Sequence, residues 1–414
     1  LQYLSDCDQM GQIPSMGSQL KDAITKIHTD FSLSDAKKIK EIEKEINHDV
    51  KAVEYFLKEK IENIEGGKDY TSFIHFACTS EDINNISYAL MLRDGVKENI
   101  KSLKKLTDVL RELSKTWASD SMLSRTHGQT ASPTTMGKEF ANFVHRISSI
   151  NKSIKETALK GKINGAVGNF NAHAIAYPEV NWEIVSKKFI KELGLEVNTH
   201  TTQVEPKDSI AELFFHYVRL NNVLIDFSRD IWGYISLGYF KQKLKKGEIG
   251  SSTMPHKVNP IDFENAEGNL GLANANFQHL SNTIVISRWQ RDLSDSTIMR
   301  NIGLCYGHTN LALSSLLKGI YKLEINKDQL KHDLDSSWEV LTEAIQTILR
   351  KHLIKDGYEL MKELSRGKKI SKEDLHHLID KIDIPSEERQ ALKNLTPSSY
   401  TGIAKTLAKQ LKDG

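Results

Sequence analysis

The stretch PKDSIAELFFHYVRLNNVLIDFSRDIWGYISLGYFKQ, residues 206–242, decides the fold class. Ile210, Leu213, Phe214, Tyr217, Leu220, Leu224, Phe227, Ile231 and Ile235 recur along it at steps of three or four, with one adjacent pair. That spacing lines one face of an α-helix; a strand would alternate at every second residue. A helix from Pro206 to about Gln242 would be roughly 50 Å long at ~1.5 Å per residue. An apolar stripe that long is buried only against other helices, in a bundle or across subunits.

The same period recurs on both sides of this stretch. Ser132-Pro133 reads as an N-cap and first helical residue, followed by the stripe Met136, Phe140, Phe143, Ile147, Ile150 and Ile154. A third helix is expected from about Ile86 to Trp117, and a fourth after Asn259-Pro260 through Leu270, Leu272 and Leu280. Strand-like alternation is scarce. Gly161 to Gly168 is glycine-rich, and Asn169 to Pro178 reads as irregular loop. The fold class expected is therefore all-α. Three regions separate: shorter helices over 1–72, a central long-helix bundle over 73–317, and short amphipathic helices over 318–414, broken at Gly367, Pro385 and Pro397.

Composition agrees. Only 8 prolines occur in 414 residues, about 2% against a usual ~5%, so little interrupts long helices. Charged residues number 56 Lys+Arg against 54 Asp+Glu, a net of +2 that gives no nucleic-acid footprint. The basic run over 241–246 reads as a solvated helix end. Cys7, Cys78 and Cys305 are far apart and odd in number, which fits a reducing compartment and not a disulfide framework. No metal motif and no glycine-rich phosphate cradle occurs, so no metal or other cofactor is expected. The apolar runs are far too short for a bilayer. The chain starts at Leu1 inside an apolar pattern, and an N-terminal piece is expected to precede it.

The chemistry concentrates in Gly250-Ser251-Ser252-Thr253-Met254-Pro255-His256-Lys257-Val258-Asn259-Pro260. Small residues open it, three hydroxyls, a cation and an amide follow, and a helix starts at its end. Backbone amides, an ammonium and a helix N-terminus together suit a carboxylate. The ordinary reading is a polar loop with a cap. All eight specified positions of Gly-Ser-Ser-x-Met-Pro-x-Lys-x-Asn-Pro are nevertheless present, and the segment resembles the signature of the fumarase/aspartase superfamily. That resemblance implies an all-helical three-domain fold, a homotetramer, and elimination of fumarate.

Five further segments resemble the adenylosuccinate lyase family within that superfamily: Asn47-His48-Asp49-Val50-Lys51, Thr79-Ser80-Glu81-Asp82-Ile83-Asn84, Ser124-Arg125-Thr126-His127-Gly128-Gln129, Thr201-Thr202-Gln203-Val204-Glu205-Pro206, and Ser287-Arg288-Trp289-Gln290-Arg291-Asp292 with Asp295-Ser296-Thr297 and Arg300. Alone, each has a plainer explanation. Thr79 with Asp82 is a capping-box pattern, and a lone His127 or His48 is usually a surface or hydrogen-bonded histidine. His376-His377 matches no family segment and is read as surface.

What the resemblance implies is specific. Adenylosuccinate gives AMP and fumarate, and SAICAR gives AICAR and fumarate. Ser251 is the base and His127 the general acid, whose ordinary pKa of about 6.5 lets it protonate a leaving nitrogen and reload. Lys257, Asn259, Ser252, Met254 and the loop amides take the succinyl carboxylate, with Thr79, Ser80, Thr126 and Gln203 around it. Arg291, Ser296 and Arg300 match the phosphate and ribose side. Asn47, Asp49 and Lys51 match base, ribose and phosphate contacts, and His48 orients substrate. Glu264 is a candidate for holding a histidine in its charged form. Active sites are shared between subunits, and the partners are nucleotide substrates, with neither nucleic acid nor membrane; the setting is cytoplasmic. The family's Asp-Gly-Arg-Tyr segment has no match here, consistent with a missing N-terminal piece. Another fumarate-releasing lyase, or a non-catalytic helical scaffold, stands as the alternative.

Overall fold

The computed structural model describes residues 1–7, 13, 15–243, 254, 256–354, 359, 361 and 370–411. Ser251 and Ser252 lie outside the described residues, as do positions 244–246 of the basic run. Helices dominate. The four expected from periodicity are present as Ser80–Thr116, Met136–Glu156, Asp208–Ser236 and Ile261–Thr283, joined by Ile302–Tyr321. The described strands form three small two-stranded sheets.

The chain forms two compact units. One comprises Leu1–Glu98, Lys155–Phe215 and Asn276–Gly303; the other comprises Asn99–Ile154, His216–Ala275 and Leu304–Gly414.

In the second unit the helix stripes meet through aromatic rings. Phe140 packs edge-on against Trp117 and Phe227, with centroids at 5.0 and 5.7 Å. Phe143 and Phe263 close on the same Phe227 ring. Such pairs add to the burial of large apolar surface. Gly137 explains how the helices approach so closely: a Cβ there would lie 2.3 Å from the Ser114 carbonyl oxygen. A separate core under the C-terminal helices gathers Leu334, Leu341, Ile345, Leu349, Leu375 and Ile379.

Two expected boundaries are corrected. Ser132-Pro133 does not start a helix; both residues lie in the strand Gln129–Thr135, antiparallel to Ser121–Thr126. Pro133 pairs with Leu123 at a register shift, a position where a missing N–H is tolerated. The helix starts at Met136, and Thr135 caps it by accepting from the Lys138 N–H at 3.2 Å. The long helix ends at Ser236, not near Gln242. Gly238 takes a φ of +73°, and Phe240–Gln242 becomes a strand paired with Leu323–Ile325.

Candidate active site

In the first unit, a set of the sequence-predicted residues gathers around the N-terminus of the Ser80–Thr116 helix. His48 caps the helix Asp49–Glu62, its Nδ1 accepting from the Lys51 N–H at 3.2 Å. Asn47 adopts the left-handed conformation at the end of the preceding helix, and Asn47, His48 and Asp49 stay exposed. Lys51 reaches both oxygens of the buried Glu54 at 2.9 Å. Burial lowers the pKa of His75, with the charges of Glu54, Lys51, Asp82 and His48 acting on the same ring. Tyr88 has its pKa raised by burial, and Arg300, Asp295, Glu81 and Asp49 all act on its hydroxyl.

Thr79 and Ser80 open the long helix, and Asp82 fixes that opening. Its Oδ2 accepts from the Thr79 N–H at 2.8 Å and the Gly165 N–H at 3.2 Å, and its Oδ1 from the Asn164 N–H at 3.1 Å. The Lys162 ammonium completes the set at 2.9 Å, and neither side chain has any exposed surface. Gly168 then runs against Thr201: its φ is +84°, and a Cβ would come within 2.3 Å of the Thr201 carbonyl oxygen. This close passage sets up the next predicted residue. Gln203 donates to the Ala166 carbonyl at 2.9 Å, and its Oε1 accepts from Arg291 at 3.4 Å. Arg291 also lies 3.5 Å from Glu81. Ser296 is half-buried and Arg300 exposed, both at the C-terminal end of this segment.

In the second unit, His127 and Gly128 form the two-residue turn of the Ser121–Thr126/Gln129–Thr135 hairpin, with φ of 53° and 74°. Positive φ at both positions is the type I′ turn that suits the twist of paired strands. The turn lifts the His127 imidazole to an exposed tip beside the exposed Thr126. Met254 and Lys257 are exposed, and the Met254 carbonyl accepts from the Lys257 N–H at 3.0 Å. Asn259 is half-buried just before the helix Ile261–Thr283, whose first turn includes Asp262 and Glu264. Glu264 accepts from the Trp232 indole at 3.1 Å. Ser251 and Ser252 fall outside the described residues.

A cavity of about 910 Å³ in the first unit is a poor nucleotide site by its lining. Ile24, Phe31, Phe56 and Phe189 make it apolar, and its charged groups include Asp6 and Glu192, with no lysine or arginine. Among the described residues, no group of three or more His, Cys, Asp or Glu side chains could hold a metal ion.

The model of the family described as "Lyase" matches residues 4–273, and that described as "Adenylosuccinate lyase C-terminal" matches residues 287–401. The adenylosuccinate lyase of Vibrio cholerae serotype O1 is 52% identical over 413 residues, covering 99% of this chain and 91% of that protein. That of Escherichia coli strain K12 is 51% identical over 413 residues, covering 100% and 91%. This chain belongs to the adenylosuccinate lyase family. It is thus a lyase of the fumarase/aspartase superfamily. A fumarate lyase from Mesorhizobium sp. BNC1 superposes with a TM-score of 0.76 at 17% identity, covering 98% of this chain and 91% of that one, which bears out the mostly helical superfamily fold.

Two residues that organise this candidate site were not singled out from sequence, Lys162 and Lys207; Glu81 and Asp295 were seen only as parts of motifs, and Asp82 only as a cap for Thr79. The acids sit in the first turn of a helix, where the dipole favours them, and that much was readable. Their cationic partners lie 80 and 126 residues away for Asp82–Lys162 and Glu81–Lys207, so nothing local announced the pairing. His376 is half-buried with a buried Nε2, so only His377 of that pair fits the surface reading.

Proposed function

We propose that this lyase releases fumarate from adenylosuccinate, giving AMP, and from SAICAR, giving AICAR. The observation that carries the reading is identity above 50% across the whole chain to proteins named adenylosuccinate lyase, beside the six motif segments quoted above. In each reaction a proton leaves the carbon beside a carboxylate, that carbon's electron pair forms the C=C bond of fumarate, and the C–N bond breaks. The departing nitrogen takes a proton.

The residues divide this work. Ser251 accepts the carbon-bound proton, and His127 delivers one to nitrogen. His127 stands exposed at a hairpin tip, and imidazole is the side chain suited to giving a proton to a leaving nitrogen. The intermediate carries a second negative charge on a carboxylate that was already charged. Lys257, Asn259 and the loop amides around Ser251 and Ser252 concentrate donors there; one preorganised donor of this kind is worth about 3–4 kcal/mol. Thr79, Ser80, Thr126 and Gln203 hold the rest of the succinyl group by geometry. Arg291, Ser296 and Arg300 take the phosphate and ribose, and Asn47, His48, Asp49 and Lys51 the nucleotide's other contacts. No step uses a metal or other cofactor. The working form is a cytoplasmic homotetramer whose sites are shared between subunits.

Incubation of the protein with each substrate, followed by chromatography, tests this. Fumarate and the matching nucleotide are expected in equal amounts, with rates unchanged by a chelator. No fumarate from adenylosuccinate, or turnover abolished by the chelator, would overturn it.

A further inference from the structure

Lys207 is buried, with its side chain 4% exposed, and it stands in the left-handed conformation at φ +66° without being glycine. A non-glycine residue held there is strained and persists only where its surroundings fix it. Glu205 supplies the fixing, its Oε2 accepting from the Lys207 N–H at 2.7 Å. The ammonium then meets three acceptors: Asp295 Oδ2 at 2.8 Å, Glu81 Oε1 at 3.3 Å and the Glu205 carbonyl at 3.4 Å. Those account for all its donors. Glu81 follows Ser80, Asp295 precedes Ser296, and Lys207 stands four residues after Gln203. One ammonium therefore ties together three segments that carry predicted substrate contacts.

Glu81 is shared. Its other oxygen lies 3.5 Å from Arg291, so Glu81 and Asp295 are met by two cations, while the third buried carboxylate, Glu205, is held by the Asn198 amide and the Lys207 N–H. Arg291 Nε and Asp295 Oδ1 are buried without a partner. We propose that Lys207 is a positioning residue that keeps Arg291 available to the substrate phosphate, by taking half of Glu81 and by docking the Asp295–Ser296 segment beside it. The proposal rests on reading Arg291 as a phosphate-side contact. Without Lys207, two buried carboxylates face one guanidinium, which they neutralise in competition with phosphate.

The test compares full-length variants by steady-state kinetics with adenylosuccinate and by calorimetric titration with AMP. Lys207→Met should raise KM and the AMP dissociation constant about tenfold, a larger change than its fall in kcat. Adding Glu81→Gln removes the surplus carboxylate and should recover a good part of that affinity, and Lys207→Arg should stay within about threefold of the parent. A purely structural role predicts instead that kcat and KM change together and that AMP affinity returns only as far as Tm does, because neutralising the unpaired carboxylate also relieves the fold. Should Lys207→Met fail to fold, the charge-balanced Lys207→Met/Glu81→Gln protein must fold and bind AMP, or the proposal is wrong. Unchanged KM and AMP affinity in Lys207→Met, beside weakened binding in Arg291→Met, overturns the positioning role alone. Normal AMP binding by Arg291→Met overturns the reading of Arg291 and the proposal with it.

Discussion

Replacing Lys162 by methionine removes one charge from the Asp82–Lys162 pair while keeping a side chain of similar length. Both partners are fully buried at 2.9 Å, so no water takes the place of the lost ammonium. Breaking a buried pair on one side typically costs about 3–5 kcal/mol. Asp82 retains three backbone N–H donors, from Thr79, Asn164 and Gly165, which places the loss near the lower end, about 3 kcal/mol. The Gly165 carbonyl also loses its 2.8 Å donor. At roughly 2–4 °C per kcal/mol for a folding unit of 150–250 residues, Tm should fall by about 6–12 °C. Circular dichroism melts of Lys162→Met, Asp82→Asn and the double variant measure this. The double variant should lose less than the sum of the singles, with coupling on the order of 1–3 kcal/mol. A Lys162→Met melt within 2 °C or so of the parent, together with additive singles, would refute the argument that this pair fixes the helix opening.

Ser251→Ala and His127→Ala should each lose at least ~100-fold in kcat while still binding AMP in calorimetry, and near-normal kcat in either removes that residue from its role. Asp230 has its pKa raised to about 6, by burial first and then by Asp226 and Glu139. The folded state therefore holds a proton that the unfolded state releases between about pH 4 and 6, and stability falls as pH rises through that window. Asp230→Asn should gain roughly 1–2 kcal/mol at pH 7 after allowance for solvent screening, and much less at pH 4; equal gains in melts at both pH values would contradict it. Gly168→Ala combines a strained positive φ with a Cβ placed 2.3 Å from the Thr201 carbonyl oxygen, so it should lower Tm and raise KM through displacement of Gln203. Unaltered values of both would show that the close passage is not needed.

The long helices were legible because each buries a continuous stripe, and periodicity reports burial directly. Ile210 to Ile235 and Met136 to Ile154 lie where that argument put them. The His127 hairpin was not. Its strands are rich in serine and threonine, carry a bulge between Leu123 and Ser124, and contain Pro133, so alternation is blurred and Ser132-Pro133 mimics a helix start. The one local signal was residue-Gly at 127–128, a type I′ turn pattern with histidine in a place usually held by asparagine. The candidate site residues were drawn from motifs, where chemistry restricts residue type at each position. The charges behind them were not legible. Lys162 and Lys207 look like ordinary lysines until the fold sets them against Asp82, Glu81 and Asp295.

In the proposed mechanism Ser251 and His127 serve one reaction from different copies of the chain. Mixing inactive Ser251→Ala and His127→Ala proteins, exchanging subunits, and measuring fumarate release tests it directly. If the two residues come from different subunits, random reassembly into tetramers restores up to about a quarter of the sites, and activity returns. No activity in hybrids shown by differential tags to contain both variants would contradict the account.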